Sequence, residues 1–197
     1  MRLRTANTIL TTLVLAVLAF AVVAELPPPS ASAQELAAPE YKIKAAYLYN
    51  FAKLTDWPED AFPDPDAPFT VGVLGKDPFA GLLEQTVKDK TIAGRKIVIV
   101  HFQQWSEVKD CQLLFVCSSA GSPVSMHLKR LSEKPILTVG DIEGFVNQGG
   151  IIGLIKRGAE IRFEINREVA KQARLKLSSK LLRLAENVLP ETSKEEE

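Results

Sequence analysis

Two cysteines, two histidines and a formal net charge of zero withhold most of the usual chemistry from this chain of 197 residues. A dedicated zinc site gathers three or four His, Cys or carboxylate ligands at short spacings. His101 and His127 stand far apart in sequence, without such carboxylates around them. The 24 basic and 24 acidic residues cancel, and no basic stretch is interleaved with aromatic residues, so the electrostatic footprint of nucleic-acid binding is missing. Phosphate-cradling loops are missing too. The nearest candidate, Gly72-Val73-Leu74-Gly75-Lys76-Asp77, is neither G-x-G-x-x-G nor a Walker loop, because Asp77 stands where Ser or Thr would hold magnesium. No G-x-S-x-G elbow surrounds Ser118 and Ser119, and the apolar setting of Cys117 predicts a raised pKa and an inert thiol. The carboxylate pairs Asp64/Asp66 and Asp141/Glu143 read as solvated or capping groups. Nothing here asks for a cofactor.

Long apolar runs are absent except at the start. Arg2 and Arg4 precede an apolar stretch from Ile9 to Ala24, followed by Glu25 and Pro27-Pro28-Pro29. A spanning helix needs ~20 apolar residues, and prolines cannot continue one. The pattern is that of a signal peptide, with small-x-small cleavage sites ending at Ala24 and at Ala33, the second preferred. The reading is therefore a signal peptide over 1–33, a linker over 34–40, one α/β domain over 41–190 and a disordered acidic tail over 191–197. Export implies an oxidising compartment. Even so, Cys111 and Cys117 flank Leu113-Leu114-Phe115-Val116, and a strand would hold them roughly 20 Å apart. A disulfide needs Cα atoms within about 7 Å, so two thiols are expected, with Cys117 buried and Cys111 nearer the strand start.

Ile43, Tyr47, Phe51 and Leu54 recur at helical spacing and predict a helix from about Tyr41 to Thr55, buried on that face and ended by Trp57-Pro58. The proline-rich stretch 59–68 is a loop. Apolar runs at Phe69–Leu74, Lys96–Val100, Leu113–Cys117 and Pro135–Val139 predict strands, with helices at Pro78–Val87 and Pro123–Leu131 between them. Runs this apolar are covered on both faces, as in the parallel sheet of an α/β fold. Ile151–Ile155 and Glu160–Ile165 predict an antiparallel hairpin on the sheet edge, with Ile161, Phe163 and Ile165 on one face. Asn166 then caps a short helix to Ala173, and Ser178 caps a last helix to Val188. The expected architecture is a single-domain, mainly parallel sheet flanked by helices, with a C-terminal antiparallel edge hairpin and C-terminal helices.

Five blocks in order carry a resemblance: Lys44-Ala45-Ala46-Tyr47-Leu48-Tyr49-Asn50-Phe51-Ala52-Lys53 with Trp57-Pro58, Gly75-Lys76-Asp77-Pro78-Phe79, Gly149-Gly150-Ile151-Ile152, Arg162-Phe163-Glu164-Ile165-Asn166, and Leu177-Ser178-Ser179-Lys180-Leu181-Leu182-Arg183-Leu184-Ala185. Together they resemble the YfiR/HmsC-like family of periplasmic proteins over nearly the whole expected domain. The resemblance implies a regulator rather than an enzyme. It implies a repressor that binds the periplasmic part of an inner-membrane diguanylate cyclase, restrains cyclic-di-GMP synthesis and limits biofilm formation. Cysteines found in such proteins near the glycine-glycine strand have no counterpart here, where Val146 and Gly153 stand.

An interaction domain needs no catalytic cluster and uses an exposed patch for its partner. A small-molecule-binding domain would instead use the carboxyl ends of its strands. Either reading directs attention to Gly75, Lys76, Asp77, Ser118, Ser119, Gly140 and Asp141. A small-molecule effector and a second copy of the chain remain open as additional partners.

Overall fold

A strand of four adjacent apolar residues such as Leu113–Val116 requires cover on both faces, and the computed structural model, which describes residues 30–189, supplies it with helices on either side of one sheet. The chain divides into two compact units, 1–37 and 38–197. Of the first unit only the opening turns of α1 are described. The expected signal peptide therefore lies outside the described residues up to position 29, and the acidic tail lies wholly outside them.

Helix α1 runs Ser30–Lys53, beginning earlier than Tyr41 and passing through 34–40 with Pro39 inside it. Gln34-Glu35-Leu36-Ala37-Ala38 are good helix formers, which carries the helix back beyond the apolar repeat. Thr55 closes it by donating its hydroxyl to the Phe51 carbonyl at 2.8 Å. The buried face is rotated by one residue from the expected one. Lys44, Ala45, Leu48, Phe51 and Ala52 point inward, while Ile43 is 44% exposed.

The elements that follow are β1 (Thr55–Asp56), β2 (Phe69–Leu74), α2 (Leu82–Val87), β3 (Thr91–Ile92), β4 (Arg95–Phe102), β5 (Leu113–Val116), α3 (Val124–Leu131), β6 (Leu137–Gly140), β7 (Ile152–Arg157), β8 (Glu160–Asn166), α4 (Arg167–Gln172), β9 (Lys176–Leu177), α5 (Ser179–Leu184) and β10 (Asn187–Leu189). The main sheet has the order β10-β8-β7-β6-β5-β2-β4-β3, and β1 pairs with β9 in a small separate ribbon. Neighbours from β7 to β4 are parallel, β7 and β8 form the antiparallel hairpin, and the mostly parallel α/β expectation holds. The hairpin is not the sheet's edge, because β10 lies parallel to β8 outside it.

Side-chain alternation fills two cores. Val71, Val73, Leu113, Phe115, Leu137 and Val139 point to the side of α1, α2 and α4; Leu74, Leu114 and Val116 point to the side of α3 and Phe145. Two caps behave as the sequence indicates: Asn166 Oδ1 accepts from the Val169 amide at 3.1 Å and Ser178 Oγ from the Leu181 amide at 3.2 Å. The last helix, expected to reach Val188, instead ends at Leu184. Ala185 turns extended, the Glu186 amide donates to the Phe163 carbonyl at 2.9 Å, and Asn187–Leu189 become β10. Pairing with the outer edge of β8 satisfies backbone groups that another half-turn of helix would have left without partners.

Candidate functional site

Strand order reverses between β2 and β5, and ligand or partner contacts in open α/β sheets gather at the carboxyl ends of the strands near such a reversal. The loop after β2 and the loop after β5 meet there. Gly75 takes φ +98°, and a Cβ at that position would fall 2.8 Å from Ser119 Oγ and 3.1 Å from the Ala120 amide, so the close approach and the left-handed turn both require glycine. Ser119 Oγ accepts from the Lys76 amide at 2.8 Å. Asp77 Oδ1 accepts from the Phe79 amide at 2.8 Å, and its Oδ2 lies 3.4 Å from His101 Nε2. Lys76, Ser118 and Ser119 are exposed. Five of the seven candidate residues thus form one contiguous rim.

Gly140 and Asp141 belong to a different environment. Gly140 is buried, with the Phe145 ring 2.7 Å from where a Cβ would stand. Asp141 is not the solvated or capping carboxylate expected of an acidic residue that opens a short helical turn with Glu143. Its side chain is only 7% exposed, and its Oδ2 accepts from Tyr41 Oη at 2.9 Å and from Lys44 Nζ at 2.8 Å. Lys44, 6% exposed, also lies 2.7 Å from Glu40 Oε1, and Glu40 Oε2 reaches Lys156 Nζ at 2.8 Å. The chain of charges Lys156–Glu40–Lys44–Asp141 therefore ties α1 to the ends of β6 and β7. Tyr41 adds an edge-on contact to Phe79, ring centroids 5.5 Å apart, which fastens the same helix to the turn after β2.

The electrostatics follow from this packing. Burial alone would raise the Glu40 carboxyl, but hydrogen bonds from Lys156 and Lys44 outweigh it and hold the group below its ordinary value. Burial, then the neighbouring Asp141 carboxylate, pushes the Tyr41 hydroxyl up. Cys117, at the end of β5, is pushed up to about 12, first by burial and then by Asp141 and Asp77. One buried thiol thus feels carboxylates from both halves of the candidate face.

Both cysteines are free and buried, as the strand between them demands. Burial and the nearby Asp110 carboxylate bring Cys111 to about 12 as well. Native protein at pH 8 is expected to show almost no reaction with a thiol reagent, and to titrate two thiols once unfolded. Because both folded values lie above the ordinary 9.0, the folded state keeps protons that the unfolded state releases. Stability should therefore be fully present below pH 9 and fall as pH rises toward 12, which denaturant midpoints across that window will show.

Chemically, the rim carries an ammonium, hydroxyls and a carboxylate. The Asp64/Asp66 pair makes only a local turn, in which Asp64 Oδ1 accepts from the Asp66 amide. His127 stacks on Trp105 with centroids 4.7 Å apart. Among the described residues, no group of three or more His, Cys, Asp or Glu side chains is placed to hold a metal ion. The Lys44–Asp141 pair had no signal in the sequence, since 97 residues separate its members.

Comparison with known proteins leads from the site to its family. Among curated proteins no significant relative is found. A crystal structure of a conserved domain protein from Vibrio cholerae O1 biovar El Tor str. N16961 is similar at TM-score 0.49 and 12% identity, over 74% of this chain and 60% of that one. The YfiR/HmsC-like (DUF4154) profile matches residues 41–186, about three quarters of the sequence, and the chain belongs to the YfiR/HmsC-like family.

Proposed function

We propose that the exported domain binds the periplasmic region of an inner-membrane diguanylate cyclase and represses it, lowering cyclic-di-GMP and limiting biofilm formation. The observation that carries this reading is the family match across 41–186, because the family supports a periplasmic regulator of a diguanylate cyclase rather than an enzyme. The site is consistent with binding: its charged groups Lys44 and Asp141 are consumed in fastening α1, and Lys76, Ser118 and Ser119 stay exposed for contact. Among the described residues no helix is long and apolar enough to cross a membrane. Cleavage after Ala33 would release the domain with Gln34 as its first residue.

A periplasmic protein influences a cytoplasmic catalytic domain by binding one of two arrangements of the membrane protein more tightly. Turning a mostly active population into a mostly silent one takes roughly 5.5 kcal/mol of differential affinity. Deleting the gene should raise cellular cyclic-di-GMP, an exported copy should lower it again, and a copy lacking residues 1–33 should not. Unchanged cyclic-di-GMP after deletion, with no cyclase co-purifying, would remove the reading.

We place the cyclase contact on the rim formed by Gly75, Lys76, Asp77, Ser118 and Ser119. Lys76→Glu combined with Ser118→Arg touches exposed side chains only, so the fold should stay within about 0.5 kcal/mol of the parent. Affinity for the cyclase should fall about tenfold or more, readable by co-purification or biolayer interferometry.

A further inference from the structure

The chain sorts its charges toward its carboxyl end. From Arg167 to Arg183 there are six cations and one carboxylate, Glu168, whereas residues 190–197 carry four glutamates and one lysine. The sequence as a whole is neutral, so these are two local excesses of opposite sign.

The fold brings the first excess to the place where the second begins. Strand β10 lies parallel to β8 with Leu189 opposite Asn166, the residue that caps α4, and β10 also lies against α4 itself. Beyond Asn166 the chain turns into α4 through Arg167. Beyond Leu189 it reaches Pro190, which has no N–H to continue the pairing. Residues 190–197 lie outside the described residues, yet the bond to Leu189 tethers them beside Arg167.

Along α4 and β9 runs a groove of about 410 Å³. Its lining includes the cations Arg167, Lys171, Arg174 and Lys176, with Leu177 and Leu182 as aliphatic wall, and no acidic residue. All four cations are exposed. Arg167 and Lys171 stand one above the other at i and i+4 of α4, and Arg174 follows just past its end. Nearby carboxylates answer part of this charge. Glu168 accepts from Gln172 at 3.2 Å, Asp56 stands opposite Lys176 in the β1–β9 ribbon, and Asp60 pairs with Arg174 at 2.8 Å. That last pair is 49% and 63% exposed, so it contributes little and its members exchange partners readily.

Reach and tethering favour the tail as the occupant. The six residues of α4 span about 9 Å, while eight residues of extended chain cover up to ~26 Å. Glu191 can therefore lie near Arg167 while Glu195 to Glu197 reach Lys171, Arg174 and Lys176. A short tether holds such groups at an effective concentration in the millimolar range, which lets several weak, solvated pairs act together.

We infer that the acidic run 191–197 folds back into the groove along α4 and β9, its glutamates against Arg167, Lys171, Arg174 and Lys176, so that the domain covers its own basic groove. The contact needs no helix or strand in the tail. Because β8 runs antiparallel to β7, the groove lies at the end of the sheet opposite the rim, and the contact stands or falls apart from the cyclase reading.

Amide NMR spectra of the exported protein beginning at Gln34, compared with those of the same protein ending at Leu189, test this. At about 50 mM salt the amides from Arg167 to Lys176 should differ between the two, and the differences should be lost near 1 M, where the screening length falls to about 3 Å. Lys171→Glu with Arg174→Glu should erase them at low salt. So should Glu195→Lys with Glu196→Lys, which leave the packing of the domain untouched. Combining all four changes should restore most of the differences, since each charge then meets its opposite again. Differences confined to the immediate neighbours of Leu189 and Asn166 would mean a tethered tail that does not dock, and would overturn the inference. So would differences that persist at 1 M salt or survive both pairs of charge reversals.

Discussion

Replacing Lys44 with methionine is expected to destabilise the domain by about 3–5 kcal/mol, because it leaves the Asp141 carboxylate buried without its cation. The two side chains are 6% and 7% exposed, so water cannot take over the lost contact without opening the structure. Tyr41 Oη would remain as a donor to Asp141 Oδ2, but one neutral hydrogen bond does not replace a charge-assisted one, and among the described residues Asp141 Oδ1 already lacks a partner. The companion change Asp141→Leu in the Lys44→Met background should recover at least half of the loss, since paired apolar groups of similar volume need no solvation. Asp141→Leu alone should be milder than Lys44→Met, as Lys44 keeps Glu40 at 2.7 Å. Urea unfolding of the three variants gives the comparison. A loss below 1 kcal/mol for Lys44→Met would mean that the pair is solvated in the working protein.

Phe51→Ala should cost a comparable amount, about 3–5 kcal/mol. Phe51 is 1% exposed and lies between Tyr47, stacked at 5.5 Å, and Phe163 of β8, edge-on at 4.9 Å. Its removal opens a cavity where α1 meets the sheet, and the neighbouring rings are held elsewhere: Tyr47 Oη donates to the Ile161 carbonyl at 3.0 Å. Ile43, on the same helix and expected from its spacing to share that face, is 44% exposed, so Ile43→Ala should change stability by no more than about 0.5 kcal/mol. The contrast between the two alanines measures which face of α1 is buried. Equal effects would contradict the rotation of this face, the burial of Phe51 and the exposure of Ile43.

That rotation shows where the sequence was legible and where it was not. Strands such as Leu113–Val116 could be read directly, because only a strand covered on both faces makes four adjacent buried apolar residues useful. The apolar spacing of α1 points one residue away from its buried face. A lysine looks like a surface residue until the carboxylate that neutralises it is known, and Asp141 arrives from 97 residues away. Strand β10 was hidden for a related reason. Leu181, Leu182, Ala185, Val188 and Leu189 fit a helical stripe, and only the open edge of β8 decides that residues 187–189 pair instead. Strands β3 and β9, at two residues each, are too short to carry a pattern. The candidate face was half legible: strand ends placed Gly75 to Asp77 beside Ser119, whereas the burial of Asp141 depends on α1 folding over it.

Repression by binding, as proposed, has its outcome on the far side of a membrane. The most direct test places the full-length cyclase that co-purifies with the domain in sealed vesicles, its periplasmic region outward and GTP enclosed, and follows cyclic-di-GMP as the domain beginning at Gln34 is added outside. The rate should fall saturably to below about a tenth of its starting value, the domain alone should turn over nothing, and Lys76→Glu with Ser118→Arg should shift the titration about tenfold. An unchanged rate at concentrations where the domain is bound to the cyclase would contradict repression.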